Sequence, residues 1–190
     1  MKTHYFIANF SLIMLFTCFM FLHEIEKPEH QFDWTEIRPQ IKDSVLVMAD
    51  FNEVTSKFVG YGGYPSQQYD RGKWFMDEAT DNELHKLIQY ENSAVKAYSF
   101  KGLLKRKDKN IYTYLIESFN DSTIVYYQSG CTGMEFSLFE YYVNQINWYF
   151  CEACKNQKPL FNEKQKAELN QLVKQNNLNN SSLLKLSYIE

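Results

Sequence analysis

The chain has 190 residues, a formal net charge of −3, 17% aromatic residues, and only 7 glycines and 4 prolines. That length fits one domain of roughly 150 residues behind an N-terminal segment, enough to bury a core without metal or disulfide staples. The slight acidity gives no global attraction to nucleic acid, and the scarcity of Gly and Pro argues against a turn-rich sandwich or barrel.

Residues 3–22, THYFIANFSLIMLFTCFMFL, carry no charge. As a helix they span about 30 Å, the thickness of a bilayer's hydrocarbon core. Lys2 precedes the segment and Glu24, Glu26 and Glu29 follow it, a bias that leaves the N-terminus in the cytoplasm and the body outside. Three fates stay open. An uncleaved signal anchor needs no further feature. A cleaved signal peptide wants small residues of the A-x-A type, which are missing. A lipoprotein signal fits Leu15 and Cys18 but not Phe16 and Thr17. The expectation is export: anchored in the inner membrane with the C-terminal domain outside, or secreted or periplasmic if cleaved. The organisation reads as a signal anchor or signal peptide over 1–23 and a linker with Pro28 over 24–34. A helical domain follows over 35–174, then a polar, partly mobile tail over 175–190.

Ile37, Ile41, Val45 and Met48 recur at helical spacing and predict a helix over 35–51 with Pro39 in its first turn. Residues 59–70, VGYGGYPSQQYD, read as a loop holding Tyr61, Tyr64 and Tyr69. It lacks the Gly-Lys-Ser/Thr of a phosphate-binding loop. Asp70 is a candidate cap for a short helix through Met76. Thr80 and Glu83 form a capping box that opens the next helix, with Leu84, Leu87 and Ile88 as its apolar stripe. Asn92 or Ser93 caps another helix, whose Ala94, Ala97, Phe100, Leu103 and Leu104 turn inward while Lys96, Lys101 and Lys105 turn out. Ile111, Tyr114, Leu115 and Phe119 make a third stripe.

Two short amphipathic helices joined by a tight turn cannot bury both faces alone, which is the logic of a solenoid. The Leu-x-x-Leu-Ile helix, the Asn-Ser-x-Val-Lys turn at 92–96 and the second helix opening Ala97-Tyr98 resemble a HEAT-type repeat over about residues 80–119. Ser93 and Ala94 stand around the family's usual Pro, and Lys96 replaces its Arg. The resemblance implies an all-α or nearly all-α fold, with antiparallel helix pairs stacked as a HEAT-like partial solenoid; the uncharged run over 3–22 adds an N-terminal hydrophobic helix. The resemblance also implies binding or scaffolding rather than catalysis.

Beyond that stretch, residues 123–127 are β-branched and aromatic and favour an extended segment. Ser129 to Gly133 form a loop around Cys131. Phe136, Phe139, Val143, Ile146 and Phe150 predict a helix over 135–150. Asn162 with Gln165 opens a last helix.

The residues that bear chemistry are few. Cys151 and Cys154 have Cys-x-x-Cys spacing, but at a helix end, where the dipole opposes a thiolate. With Cys131 they are the candidates for a disulfide or a redox role. A nucleophilic Cys131 would need His85 as its base. The expected function is therefore a protein-interaction module without catalytic activity, cofactor or metal, binding an unknown protein through Tyr61, Tyr64 and Tyr69 or through Lys101, Lys105 and Arg106. It is membrane-attached through 3–22 and has no nucleic-acid partner. The alternative is a thiol–disulfide redox protein or cysteine-dependent enzyme using Cys131 or the Cys151/Cys154 pair.

Overall fold

Helix α1 (Pro39–Phe51) places Pro39 in its first turn, buries Ile41, Val45 and Met48, and ends at Asn52 in the left-handed region with φ 53°, as its apolar period predicts. The structure, a computed structural model, describes residues 32–153 and 160–175. The chain divides into a short unit, Met1–Thr35, and a main unit, Glu36–Glu190. In the described part of the first, the Thr35 amide donates to Asp33 at 3.0 Å, and the Phe32 and Trp34 rings meet edge to face at 4.8 Å.

In the main unit α1 leads into strand β1 (Val54–Val59), a tight turn and the short strand β2 (Tyr64–Pro65). Four helices follow: α2 (Gln67–Glu78), α3 (Asp81–Leu87), α4 (Ser93–Lys105) and α5 (Ile111–Glu117). A 3-10 turn (Ser118–Asn120) then precedes strands β3 (Ile124–Gly130) and β4 (Thr132–Ser137) and helices α6 (Leu138–Ala153) and α7 (Glu163–Gln175). The strands form one four-stranded sheet in the order β2-β1-β3-β4. The outer pairs are antiparallel and β1 runs parallel to β3, so α2 to α5 make up the long crossover that a parallel pair requires. Along β3 the side chains alternate. Val125 is buried and Tyr127 meets the Tyr141 and Trp148 rings of α6, while Ile124 and Tyr126 face solvent.

This sheet overturns the all-α, HEAT-like partial solenoid. A solenoid repeat has neighbours only before and after it, whereas α4 is enclosed. Ser93, Ala94, Val95, Ala97, Tyr98, Ser99, Phe100, Gly102, Leu103 and Leu104 are all buried, so buried positions recur on every side of α4, the mark of a central helix. It packs on α1, α2, α3, α5, α6 and the strands β1 and β3. The Phe100 ring stacks on Tyr142 of α6 at 3.7 Å. Gly72 of α2 lies directly against the Tyr98 ring. The Tyr98 hydroxyl accepts the Thr55 amide of β1 at 3.3 Å. The repeat-like stretch is thus the α3–α4 hairpin in the middle of a mixed α/β fold.

The described part of the chain gives the expected membrane-spanning helix no support. Among the described residues no helix is long and apolar enough to cross a membrane, and residues 3–22 lie outside them. The linker over 24–31 and the tail over 176–190 lie outside them too.

Two of the basic residues singled out in the sequence turn out to fasten helices together. Arg106, just after α4, donates to the carbonyls of Met76 at 2.8 Å and Ala79 at 2.6 Å and pairs with Asp81 at 2.5 Å. The C-terminal carbonyls of α2 and the start of α3 are thereby held by one planar donor fork. Lys105 pairs with Asp77 at 2.6 Å, but both partners are about half-exposed, so this pair contributes little. Arg106→Ala is expected to lower unfolding free energy by about 2 kcal/mol, because it strands carbonyls that a charged donor satisfies. Arg106→Lys should recover only part of that, since an ammonium cannot reproduce the fork. Urea unfolding of the three proteins checks the order.

Candidate functional site

The loops at 59–70 and 126–134, separate in sequence, meet at one end of the sheet. β1 turns through Gly60 (φ 73°) and Gly63 (φ 61°), conformations that glycine adopts without a Cβ penalty. The β3–β4 hairpin turns over Gly130-Cys131, where Ser129 pairs with Thr132. Gly130 has φ 55°, and a positive φ at the first turn position is the pattern of a type II′ hairpin. The Gly60 amide donates to the Gly130 carbonyl at 2.9 Å. The Gly130 amide donates to Ser56 Oγ at 3.2 Å, and Cys131 Sγ donates to the Gly60 carbonyl at 3.3 Å. Two chain segments are therefore tied into one ledge.

The ledge carries apolar side chains in water. Tyr61 is 100% exposed, Tyr64 69% and Phe58 49%. Tyr64 folds over Gly62, whose missing Cβ makes room for the ring. Lys57 is exposed, and its ammonium lies 5.3 Å from the centre of the Phe58 ring. Tyr69 is separated from this group: it sits half-buried in the first turn of α2, where its amide donates to the Ser66 cap at 3.2 Å. Ser66 therefore takes the capping place assigned to Asp70, which lies within the first turn.

The remaining candidates are dispersed. Lys105 and Arg106 hold α2 and α3 as described, and Lys101 lies on α4 and is half-buried. Cys131 is an exposed free thiol at the hairpin tip. Cys151 belongs to α6, near its end, and Cys154 lies outside the described residues, so the redox expectation meets the structure at Cys131. Among the described residues no three His, Cys, Asp or Glu side chains converge as a metal would need.

Sequence reasoning missed a polar chain beside a hollow. His85 of α3 meets Asp108 through Nε2 at 3.1 Å and the Tyr114 hydroxyl through Nδ1 at 2.7 Å. In the tautomer with Nε2–H turned to the carboxylate, Nδ1 accepts a hydrogen bond from the Tyr114 hydroxyl. Burial first, and then the charges of Asp108 and Glu117, raise the Tyr114 hydroxyl above the ordinary phenol range, so it stays a neutral phenol. Tyr114 lines a hollow of about 330 Å³ with Ile88, Gln89, Lys96, Glu117 and Tyr142 among its walls. There Lys96 pairs with Asp121 at 2.6 Å. Burial works to raise the Asp121 carboxyl, but hydrogen bonds from Lys96 and Thr123 outweigh it and hold it below its ordinary value. The sequence signal for this group was weak, because His85, Asp108 and Tyr114 come from three segments and none is part of a spaced motif.

Comparison of the chain with protein-family models, with curated proteins and with solved structures found no match.

Proposed function

We propose that the protein is a non-catalytic protein-interaction module whose contact surface is the ledge at the Gly60–Gly63 turn, with Tyr61 and Tyr64 as its exposed rings. One observation carries this reading. A tyrosine fully open to water stands on a backbone fixed by hydrogen bonds to a second loop, so little ordering entropy opposes its burial by a partner. Tyrosines on rigid supports are the usual anchors of protein interfaces. Lys57, exposed on the strand that leads into the turn and set over the Phe58 ring, adds a positive charge to this end of the sheet, so the matching partner is a protein presenting an apolar pocket edged by carboxylates. The charge asymmetry around residues 3–22 supports placing this surface outside the cytoplasm.

The test is site-specific photo-crosslinking in the native host, with a photoreactive phenylalanine at position 61 and, as a control, at the exposed position 164. One defined adduct should form from position 61 and not from 164, and Lys57→Glu should diminish it several-fold. Equal labelling from both positions, or an adduct indifferent to Lys57→Glu, would overturn the reading. Tyr61→Ala should leave unfolding free energy within about 0.5 kcal/mol of the parent while removing partner capture.

A further inference from the structure

The geometry points to a second site: the hollow between α3, α4, α5 and α6 binds a small primary ammonium compound with an apolar body. The volume of about 330 Å³ lies at the small end of ligand pockets, which run from about 300 to 1,000 Å³. Ile88, Leu138 and Tyr142, all buried, give it an apolar wall. The polar wall decides the ligand's charge. Lys96, the one cation among the lining residues, is committed to Asp121 at 2.6 Å. Glu117 is exposed at the rim and has no ion pair among the described residues. One negative charge is therefore left unmatched, which repels carboxylates and phosphates and attracts a cation.

The hydrogen-bond polarity agrees with the charge. Tyr114 and Glu117 stand three residues apart on α5, on one face of the helix. The Tyr114 hydroxyl shares one hydrogen bond with His85 Nδ1, and its oxygen keeps a lone pair to accept from a ligand. The Glu117 carboxylate is acceptor-only, and the Gln89 amide offers a further acceptor oxygen. An ammonium, with three N–H donors and no acceptor, is complementary to such a wall, while its apolar body lies against Ile88, Leu138 and the Tyr142 ring. The site is separate from the tyrosine ledge and does not depend on it.

The experiment titrates the full chain, followed by amide chemical shifts, with 2-phenylethylamine, and in parallel with the isosteric 2-phenylethanol and the anion 3-phenylpropanoate. The amine should give saturable shifts at Lys96, Tyr114, Glu117 and Ser118. The alcohol and the acid should bind at least about tenfold more weakly, the size expected for loss of a charge-assisted contact. Glu117→Gln should weaken amine binding about tenfold and Tyr114→Phe several-fold. Glu117 is exposed, so its substitution should leave the rest of the spectrum in place. Equal or tighter binding of the acid or the alcohol, undiminished amine binding in Glu117→Gln, or no saturable shift at these four residues would each overturn the proposal.

Discussion

Glu83→Gln should destabilise the protein by about 3 kcal/mol, the size seen when one partner of a buried, hydrogen-bonded charge pair is removed, and should remove an acid-labile part of its stability. Glu83 is 3% exposed. Its carboxylate accepts from the Arg38 amide at 3.0 Å, Arg38 Nε at 3.0 Å and Nη2 at 2.8 Å, the Thr80 amide at 2.8 Å and the Thr80 hydroxyl at 3.1 Å. One side chain thus closes the capping box of α3 and anchors the residue in front of α1. Glutamine keeps the shape but turns an N–H₂ group toward a wall of donors. Burial works to raise this carboxyl, but the hydrogen bonds from Arg38 and Thr80 prevail and hold it down at about 2, against 4.5 for a free glutamate. A lowered native value means that the stabilisation is complete above 4.5 and is lost as pH falls through 4.5 toward 2. Arg38 is 43% exposed, which screens the pair and limits this acid-labile part to about 2 kcal/mol. Urea unfolding at a series of pH values should show the parent and Glu83→Gln far apart at neutral pH and converging in acid. Parallel curves would exclude Glu83 as their source.

Gly72→Ala should also lose about 3 kcal/mol, although the same change in an unobstructed helix gains up to about 1 kcal/mol. A methyl group at Gly72 would lie within 2.7 Å of three atoms of the Tyr98 ring. That ring has nowhere to go, being 1% exposed and fixed by its hydroxyl to the β1 backbone. The wrong sign for a helical glycine is the diagnostic result. Tyr98→Leu in the same chain should relieve the clash, so the double variant should be more stable than the two single losses added together. Gly102→Ala is the internal control. Its nearest neighbour is a terminal methyl of Leu84 at 3.0 Å, which needs to give by only a few tenths of an ångström, so the change there should be small. Calorimetric unfolding of the set decides the matter.

What the sequence showed clearly was local chemistry. Thr80 with Glu83, Asn92 ahead of Val95 and Pro39 in a first turn each act within four residues, and each stands where the pattern placed it. The HEAT resemblance rested on the same local patterns: two short helices and a tight turn are there as the α3–α4 hairpin, but the stacked all-α solenoid it implied is overturned by the sheet. The sheet was hidden because its central pairing joins segments far apart in the chain. β1, Val-Thr-Ser-Lys-Phe-Val, has no clean alternation of burial. The 123–127 segment was legible as extended, but its partner β4 was absorbed into the predicted helix over 135–150, because Phe136 falls in register with Phe139 and Val143. A usable signal was present there. Ser137 and Glu140 form a second Ser-x-x-Glu box, with the Ser137 amide donating to Glu140 at 3.0 Å and the Glu140 amide to Ser137 Oγ at 3.3 Å. That box starts α6 at Leu138 and releases the residues before it to the sheet. Of the proposed contact surface, Tyr61 and Tyr64 were legible as loop aromatics, whereas the meeting of their loop with the Cys131 hairpin needed β1 and β3 to be neighbours.

That neighbourhood also sets an order of events during synthesis. Val54 pairs with Tyr127, so at ribosomal rates of about 5–20 residues per second β1 leaves the ribosome roughly 4 to 15 seconds before its main partner. In that interval its only strand neighbour among the described residues is the two-residue β2, and the edge that will face β3 is open to other chains. The crossover helices α2 to α5, whose contacts are mostly local, have time to assemble first and present β1 to β3 as it emerges. A nascent chain halted within β3 should therefore be the form of this protein most prone to aggregate.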